Sequence, residues 1–464
     1  MKRQGISTIV QCAWSLFLVF NSVGLFAQVQ VGQTIFEVNQ ADEFGASTAI
    51  AANGNRIAIG NPVFDGDEPD LGQVQLYDFV NGDWLSIGSI EGNFPSGNAG
   101  LQIELSDDGN RLAIAAPEAG VNVAFEGQVS IYAYDGANWN LLGNPISGTA
   151  PSERLGTNIA FSGDGNTIAC YSADNSLNSR VKLFRYDGSD WNPFGEILGG
   201  TMDQGCFGCD MDLSVDGNTI IIGAYTSAES GIDRGKAEIH RYEGQWQQFG
   251  QTFYGSVAGH LLGRGVAISG KGNRIALGVS GYAGNFINNG AVFTFDFVGG
   301  IWNFAGSFII GASQNEQCGL SLALSNSGER LILGCPNFPN SEANGRIQIY
   351  EWLNNDWGVL GMPINFESIL GAGFGTNLDI SPDGSRVIAA APFLNDPNNF
   401  GEVRVYEFQV VNTEEPVRGS SIELAPNPVS DQVQILGLAG QPAQVQIFNP
   451  YGQRLETHLA VESL

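Results

Sequence analysis

The sequence predicts an all-β protein: a seven-bladed β-propeller of four-stranded antiparallel blades, followed by a small β-sandwich-like domain. Three observations carry this expectation. A turn glycine recurs as Gly54, Gly109, Gly165, Gly217, Gly272, Gly328 and Gly384, at intervals of 55, 56, 52, 55, 56 and 56 residues. Nine residues before each stands a second glycine, from Gly45 and Gly100 through to Gly375. Six tryptophans, Trp84, Trp139, Trp191, Trp246, Trp302 and Trp357, each lie four residues before a further glycine. A fixed period of this kind marks a repeat architecture, in which one supersecondary unit is stacked many times.

Within a repeat the elements follow in order. LQIELS and RLAIAAP alternate apolar and small or polar residues on either side of DDGN, which reads as two strands joined by a tight turn. Asp107 and Asp108 are expected there as turn formers. A third alternating run follows, GQVSIYAYDG in the second repeat and RVKLFRYDG or EVRVYEF elsewhere. The fourth strand opens at the tryptophan, as in WNLLGNPI and WQQFGQTF. Such a sheet has two apolar faces to cover, and radial stacking covers both. There are seven copies of the first three strands but six tryptophan-led fourth strands. The segment QVQVGQTIFEV, residues 28–38, fits the fourth-strand pattern through Gly32, Thr34 and Ile35, so the N-terminal strand is expected to close the last blade.

Composition agrees with this. Among 464 residues there are 63 glycines, aromatics reach 10% and charged residues only 15%, which suits turn-rich sheet and leaves helical candidates scarce. The formal charge of −28 opposes binding to nucleic acid or anionic lipid, both of which need a positive field.

The first 27 residues have a basic start at Lys2 and Arg3, an apolar run from Trp14 to Phe26 and a small residue at Ala27, the three-part form of a secretory signal peptide. No other span is apolar enough to cross a bilayer, so the mature chain is expected to be exported, soluble and monomeric, with its propeller over residues 28–410. Five of the six cysteines remain after Cys12 leaves with the signal, so at least one thiol stays free. Cys206 and Cys209 form a lone CxxC, read as structural or as a local disulfide. Cys318 and Cys335 lie at matched distances from the turn between their strands, which admits either a disulfide or two buried thiols.

The repeat GxSxALSxxGxRLxLGxP, continued by GxVxxYxYDGxxWxxxGxxIxG, resembles the FG-GAP-type repeat of integrin alpha chains and bacterial surface proteins. That resemblance covers residues 28 to about 410 and implies a binding or adhesion propeller. SPDGSRVIAAAP also resembles the TolB-type propeller repeat, and SGDGNT the Asp-box turn of sialidases. Calcium-binding FG-GAP repeats carry spaced aspartates in the first turn. The turns here, among them AANGNR, SGKGNR and SNSGER, lack three alternating carboxylates, so calcium is not expected in them. After the polar linker 411–420, APNPVSDQVQI and VQIFNPYGQRL resemble the type A C-terminal sorting domain of the type IX, or Por, secretion system of Bacteroidetes. The resemblance implies contact with that secretion machinery and release or display at the cell surface. Residues 421–464 are shorter than such domains usually are, so a truncated form is expected.

Function is sought on one face of the ring. The turns within each hairpin are short and uniform, whereas the connections NPVFDGDEPDLG, AYTSAESGIDRG and VSGYAGNFINNG are longer and irregular, and loops on a rigid scaffold carry function. The sharpest local candidate is Asp65, Asp67 and Asp70, with Glu68 between them, as calcium ligands; a solvated acidic loop is the alternative. The seven turn glycines and six tryptophans are expected to be structural. With three histidines, His240, His260 and His458, in the mature chain, and neither GxSxG nor HExxH, no catalytic residue is assigned. The expected function is a non-catalytic binding or adhesion module for an extracellular protein or glycan. A polysaccharide hydrolase or lyase and a structural envelope protein are the alternatives.

Overall fold

The computed structural model describes residues 25–36, 43–51, 53–173, 179–198, 206–338, 344–366, 371–393 and 401–411, with four short strands further on. Seven antiparallel sheets follow one another along the chain, six of them with their strands in sequence order from the axis outward and the last completed on its outer edge by the N-terminal strand. In the second blade these are Gln102–Leu105, Arg111–Ala116, Gln128–Tyr134 and Trp139–Leu141, the last continued by Ile146–Ser147. The second strand of a blade has a neighbouring blade on each face, so it need not alternate; Thr219–Ala224, TIIIGA, is buried at every position. Outer strands alternate instead, as in Ile301–Phe304, where Trp302 alone is buried.

The ring closes with strands from opposite ends of the chain. Leu25–Gln30 runs antiparallel to Glu402–Val411, from Leu25 opposite Val411 to Gln30 opposite Tyr406, and Ile35–Phe36 continues it opposite Val403 and Glu402. Pairing therefore starts three residues before Gln28, where the sequence pattern places it. Apolar clusters lie between blades: Ile388, Val403 and Val405 of the last pack with Phe44, Ile57 and Trp84 of the first.

The tryptophans join outer strands of successive blades. Trp84 Nε1 donates to Val31 O at 2.8 Å, Trp191 to Leu142 O at 2.9 Å, Trp246 to Phe194 O at 3.1 Å and Trp302 to Phe249 O at 2.9 Å. Each acceptor precedes the glycine of the preceding blade's outer strand. Trp357 reaches the blade before it through Thr294, whose hydroxyl accepts at 2.8 Å and donates to Ala305 O at 2.6 Å. In the closing strand Gln28 takes the tryptophan's place, its Nε2 donating to Leu360 O at 2.7 Å. Trp139 differs, since its enclosed Nε1 has no partner among the described residues.

A second ring runs through the turn glycines. Arg56, Arg111, Arg274, Arg330 and Arg386, each two residues past its own turn glycine, donate at 2.6–3.0 Å to the carbonyls of Gly109, Gly165, Gly328, Gly384 and Gly54 in the blade that follows. Where threonine replaces that arginine, Arg185 and Arg241 on the third strand reach Gly217 O and Gly272 O, both at 3.1 Å. The glycines adopt φ of 62–75°, and a Cβ on Gly54 would lie 2.6 Å from Arg386 Cδ, so the turn and the contact both demand glycine.

The expected signal peptide up to residue 24 and the linker from residue 412 lie outside the described residues, as does most of the tail. There Glu423–Ala425 pairs with Gln434–Leu436, and Ile447–Phe448 with Arg454–Leu455. Among the described residues no helix is long and apolar enough to cross a membrane.

The tryptophan bonds give a paired prediction. Trp302→Phe removes a satisfied donor and is expected to leave the Phe249 carbonyl unpaired, lowering stability by about 1–2 kcal/mol. Trp139→Phe removes a donor that has no partner and should change stability by less than about 0.5 kcal/mol. Denaturant unfolding of the two variants checks the contrast.

Candidate functional site

The innermost strands surround an axial cavity of about 360 Å³. Their inner edges are unpaired, so their amides need partners other than strands. The residue five before the turn glycine is alanine in four blades (Ala49, Ala160, Ala267 and Ala323) and acidic in three (Glu104, Asp212 and Asp379). Asp379 Oδ2 accepts from Ile50 N at 3.0 Å and Asp212 Oδ2 from Ile268 N at 2.7 Å, so each aspartate satisfies an edge amide of the next blade. Asp210, two residues earlier, does the same for Val266 N at 2.6 Å. Glu104, one methylene longer, accepts no hydrogen bond from the described residues, although it lines the same cavity.

The hairpin-turn end of the cavity is crossed by a side-chain bond. Asn326 Nδ2, on the sixth blade, donates to Asp107 Oδ2, on the second, at 2.6 Å. Around it the turns are linked by backbone bonds, including Asp107 N to Gly163 O at 2.8 Å, Val215 N to Gly270 O and Gly270 N to Asn326 O, both at 3.0 Å, and Asn326 N to Pro382 O at 2.9 Å. Of the two expected turn formers only Asp108 acts so, its Oδ1 accepting from Ser106 Oγ and Asn110 N; Asp107 points across the axis.

Burial raises the channel carboxyls. Asp210 is pushed up to about 8, and Asp212 and Asp379 to about 7, in each case by desolvation that their backbone hydrogen bonds only partly oppose. Glu104 lies well above the usual carboxylate range through desolvation and the nearby charges of Asp379, Asp212 and Asp210. Asp107 is also raised by desolvation, against the lowering effect of Asn326. Arg264 is the one basic side chain among the described residues lining the cavity, and its guanidinium stacks 5.3 Å from the Tyr225 ring centroid.

The opposite face, expected to be irregular, repeats in four blades. Asp70, Phe125, Asp233 and Asn288 all take left-handed φ between 47° and 56°. Their carbonyls accept from Asn98, Arg154, Leu261 and Gln317, themselves left-handed, at 3.0–3.2 Å. Two connections of each blade are thus tied together by residues that must be held in an unfavoured conformation. Sequence alternation carries no signal of this, because it resides in φ.

The other expected residues fall as follows. Asp65 Oδ1 accepts from Asp70 N at 2.9 Å. Among the described residues the set of three or more His, Cys, Asp or Glu whose ligand atoms all lie within 4.8 Å of one another is Glu316, Cys318 and Cys335; Asp65, Asp67 and Asp70 form no such set. Cys318 is bonded to Cys335 and Cys206 to Cys209, while Cys170 is a buried free thiol, raised by desolvation. His260 Nδ1 lies 3.3 Å from Ser256 Oγ, and burial and the charge of Arg234 lower its pKa. No family model and no curated protein matches the chain.

What the repeats share gives no sign of Glu104; its signal is departure from alanine at a repeat position. A carboxyl raised on folding keeps its proton in the folded state while the unfolded chain releases it near pH 4, so stability falls as pH rises from there through the folded pKa. Glu104→Gln removes this loss. The melting temperature of the variant should exceed that of the parent by more at pH 8 than at pH 5, with the gain growing by on the order of 1–3 °C.

Proposed function

We propose that the protein is an exported, non-catalytic binding propeller that engages an extracellular protein or glycan with its loop face. The observation that carries this reading is the exposure of apolar side chains on rigid loop tips. Ile232 is 76% exposed and Ile287, at the same repeat position in the next blade, 62%. Val257 and Phe286 on the same two blades are also exposed. Large apolar groups held out by strained, hydrogen-bonded loops mark an interaction surface. The FG-GAP-type resemblance of the repeats supports an adhesive role. The resemblance of the tail to a type IX sorting domain supports release or display outside the cell, as does the signal-like N-terminus.

One observation favours a second reading, a polysaccharide hydrolase or lyase: Glu104, Asp210 and Asp212 converge in one cavity, as paired carboxyls do in glycosidases. An array of glycans and extracellular polypeptides probed with the full chain separates the two. Binding should weaken at least tenfold on changing both Ile232→Glu and Ile287→Glu, with the melting temperature unchanged. Cleavage of an arrayed glycan that disappears in Glu104→Gln would establish the enzyme instead.

A further inference from the structure

We infer that the outer rim of the fifth blade is a contact surface for a second copy of this chain, so that the protein pairs across a twofold axis in place of the monomer expected from its sequence. The inference is independent of what the loop tips bind.

The outermost strand of this blade, Ile301–Phe304, is continued by Ile309–Ile310, and both pair with Ala291–Val298. Its side chains are unusual among the blades. The residue before the tryptophan is aspartate, asparagine or glutamine in five of them and Ile301 in this one. Phe304 is 45% exposed and Phe308 57%, and Ile301, Ile310 and Val298 are exposed as well. The rings of Phe304 and Phe308 meet edge-on with centroids 4.9 Å apart, and both contact Phe293, at 6.5 Å and 5.2 Å. Neighbouring exposed apolar groups mark an interaction surface, and aromatic anchors carry much of the energy of protein interfaces.

Charge identifies the occupant. With a formal charge of −28, copies of the chain repel wherever their acids face one another. Residues 244–295 form the longest run of the sequence without Asp or Glu. Between Glu243 and Glu316, a span that includes the outer strands of the fourth and fifth blades, the one acid is Asp296, and Arg274 holds it by two hydrogen bonds. Asp356 of the sixth blade reaches the rim, but Ser307 donates to both of its carboxylate oxygens, at 2.6 Å and 2.8 Å. A neutral or basic partner gives no reason for acids to be absent from an apolar patch. An acidic partner does, and the same patch on two copies matches itself in an isologous contact. Side chains make that contact: the backbone edge is already in use, since the Gln251 amide bonds both Trp302 N and Trp302 O.

The test is sedimentation equilibrium of the full chain at about 0.1 M and about 1 M sodium chloride, between which the Debye length falls from roughly 10 Å to 3 Å. The expected result is a monomer–dimer equilibrium that tightens about threefold or more at the higher salt, because screening relieves the repulsion of acidic chains and leaves the apolar contact. Phe304→Asp should weaken the dimer about tenfold or more. Ile301→Asp introduces the side chain that Asp83, Asp190 and Asp356 supply at the same position of other blades, and should also weaken it, with the melting temperature unchanged. Changing Ile232→Glu and Ile287→Glu together on the loop tips should leave the dimer intact. A single chain at every concentration and both salts overturns the inference. So does a dimer that both rim variants leave intact, one that the loop-tip pair abolishes, or one that the higher salt dissociates, which would set the rim against an acidic face.

Discussion

The blades form a ring because each turn carbonyl accepts an arginine from the blade before it. The bond runs from Arg56 through each successive blade to Arg386, which returns to Gly54 O. A propeller blade cannot cover its own faces, so its stability lies in contacts with its neighbours. A charged donor at each junction supplies direction as well as energy, since hydrogen bonds to ionised groups exceed neutral ones. The guanidinium is not left bare. Arg56 is paired bidentately with Asp78 and Arg274 with Asp296, and their planes lie over Tyr134 and Trp352, with centroids at 4.3 Å and 4.0 Å. These junctions thus join a salt bridge within one blade to an aromatic face and a turn of the next, and Arg330 and Arg386 are likewise paired with Glu351 and Glu407.

That requirement explains how two blades differ from the rest without losing the clasp. Arg56 stands opposite Asp78 in the strand register and Arg274 opposite Asp296. In the third and fourth blades threonine occupies the arginine's site, and its register partner is the arginine instead: Thr167 faces Arg185 and Thr219 faces Arg241. The guanidinium moves across the strand pair and still reaches the following glycine carbonyl, bonded on the way to the threonine hydroxyl at 3.0 Å and 3.1 Å. The cation is held by cross-strand position, so either member of the pair can supply it.

Period and alternation made the blade count, strand order and N-terminal closure legible, because strand patterning repeats every two residues and the repeat every 52–56. The turn glycines and tryptophans were legible as structural for the same reason. Their partners were not, since an arginine's reach to the next blade spans at least 31 residues of sequence and appears only when blades are stacked. The loop face looked irregular because its common element is a left-handed backbone that Asp, Phe and Asn adopt in turn. Charge spacing drew attention to Asp65, Asp67 and Asp70, which lie on the surface, whereas the acids that converge come from separate blades.

Those axial acids show how a repeat position can vary without altering the fold. Alanine at the position five before the turn glycine lets neighbouring inner strands approach and asks for no partner. Aspartate there carries a desolvation cost, but its carboxylate takes up an edge amide that the fold leaves open, so Asp212 and Asp379 retain a structural use. Glutamate at the same position takes up no such amide. The ring tolerates this because its junctions are fixed at the turn glycines and outer tryptophans, not at this position. A side chain that contributes no junction contact, in a position where alanine suffices four times, is therefore free to vary without loosening the ring.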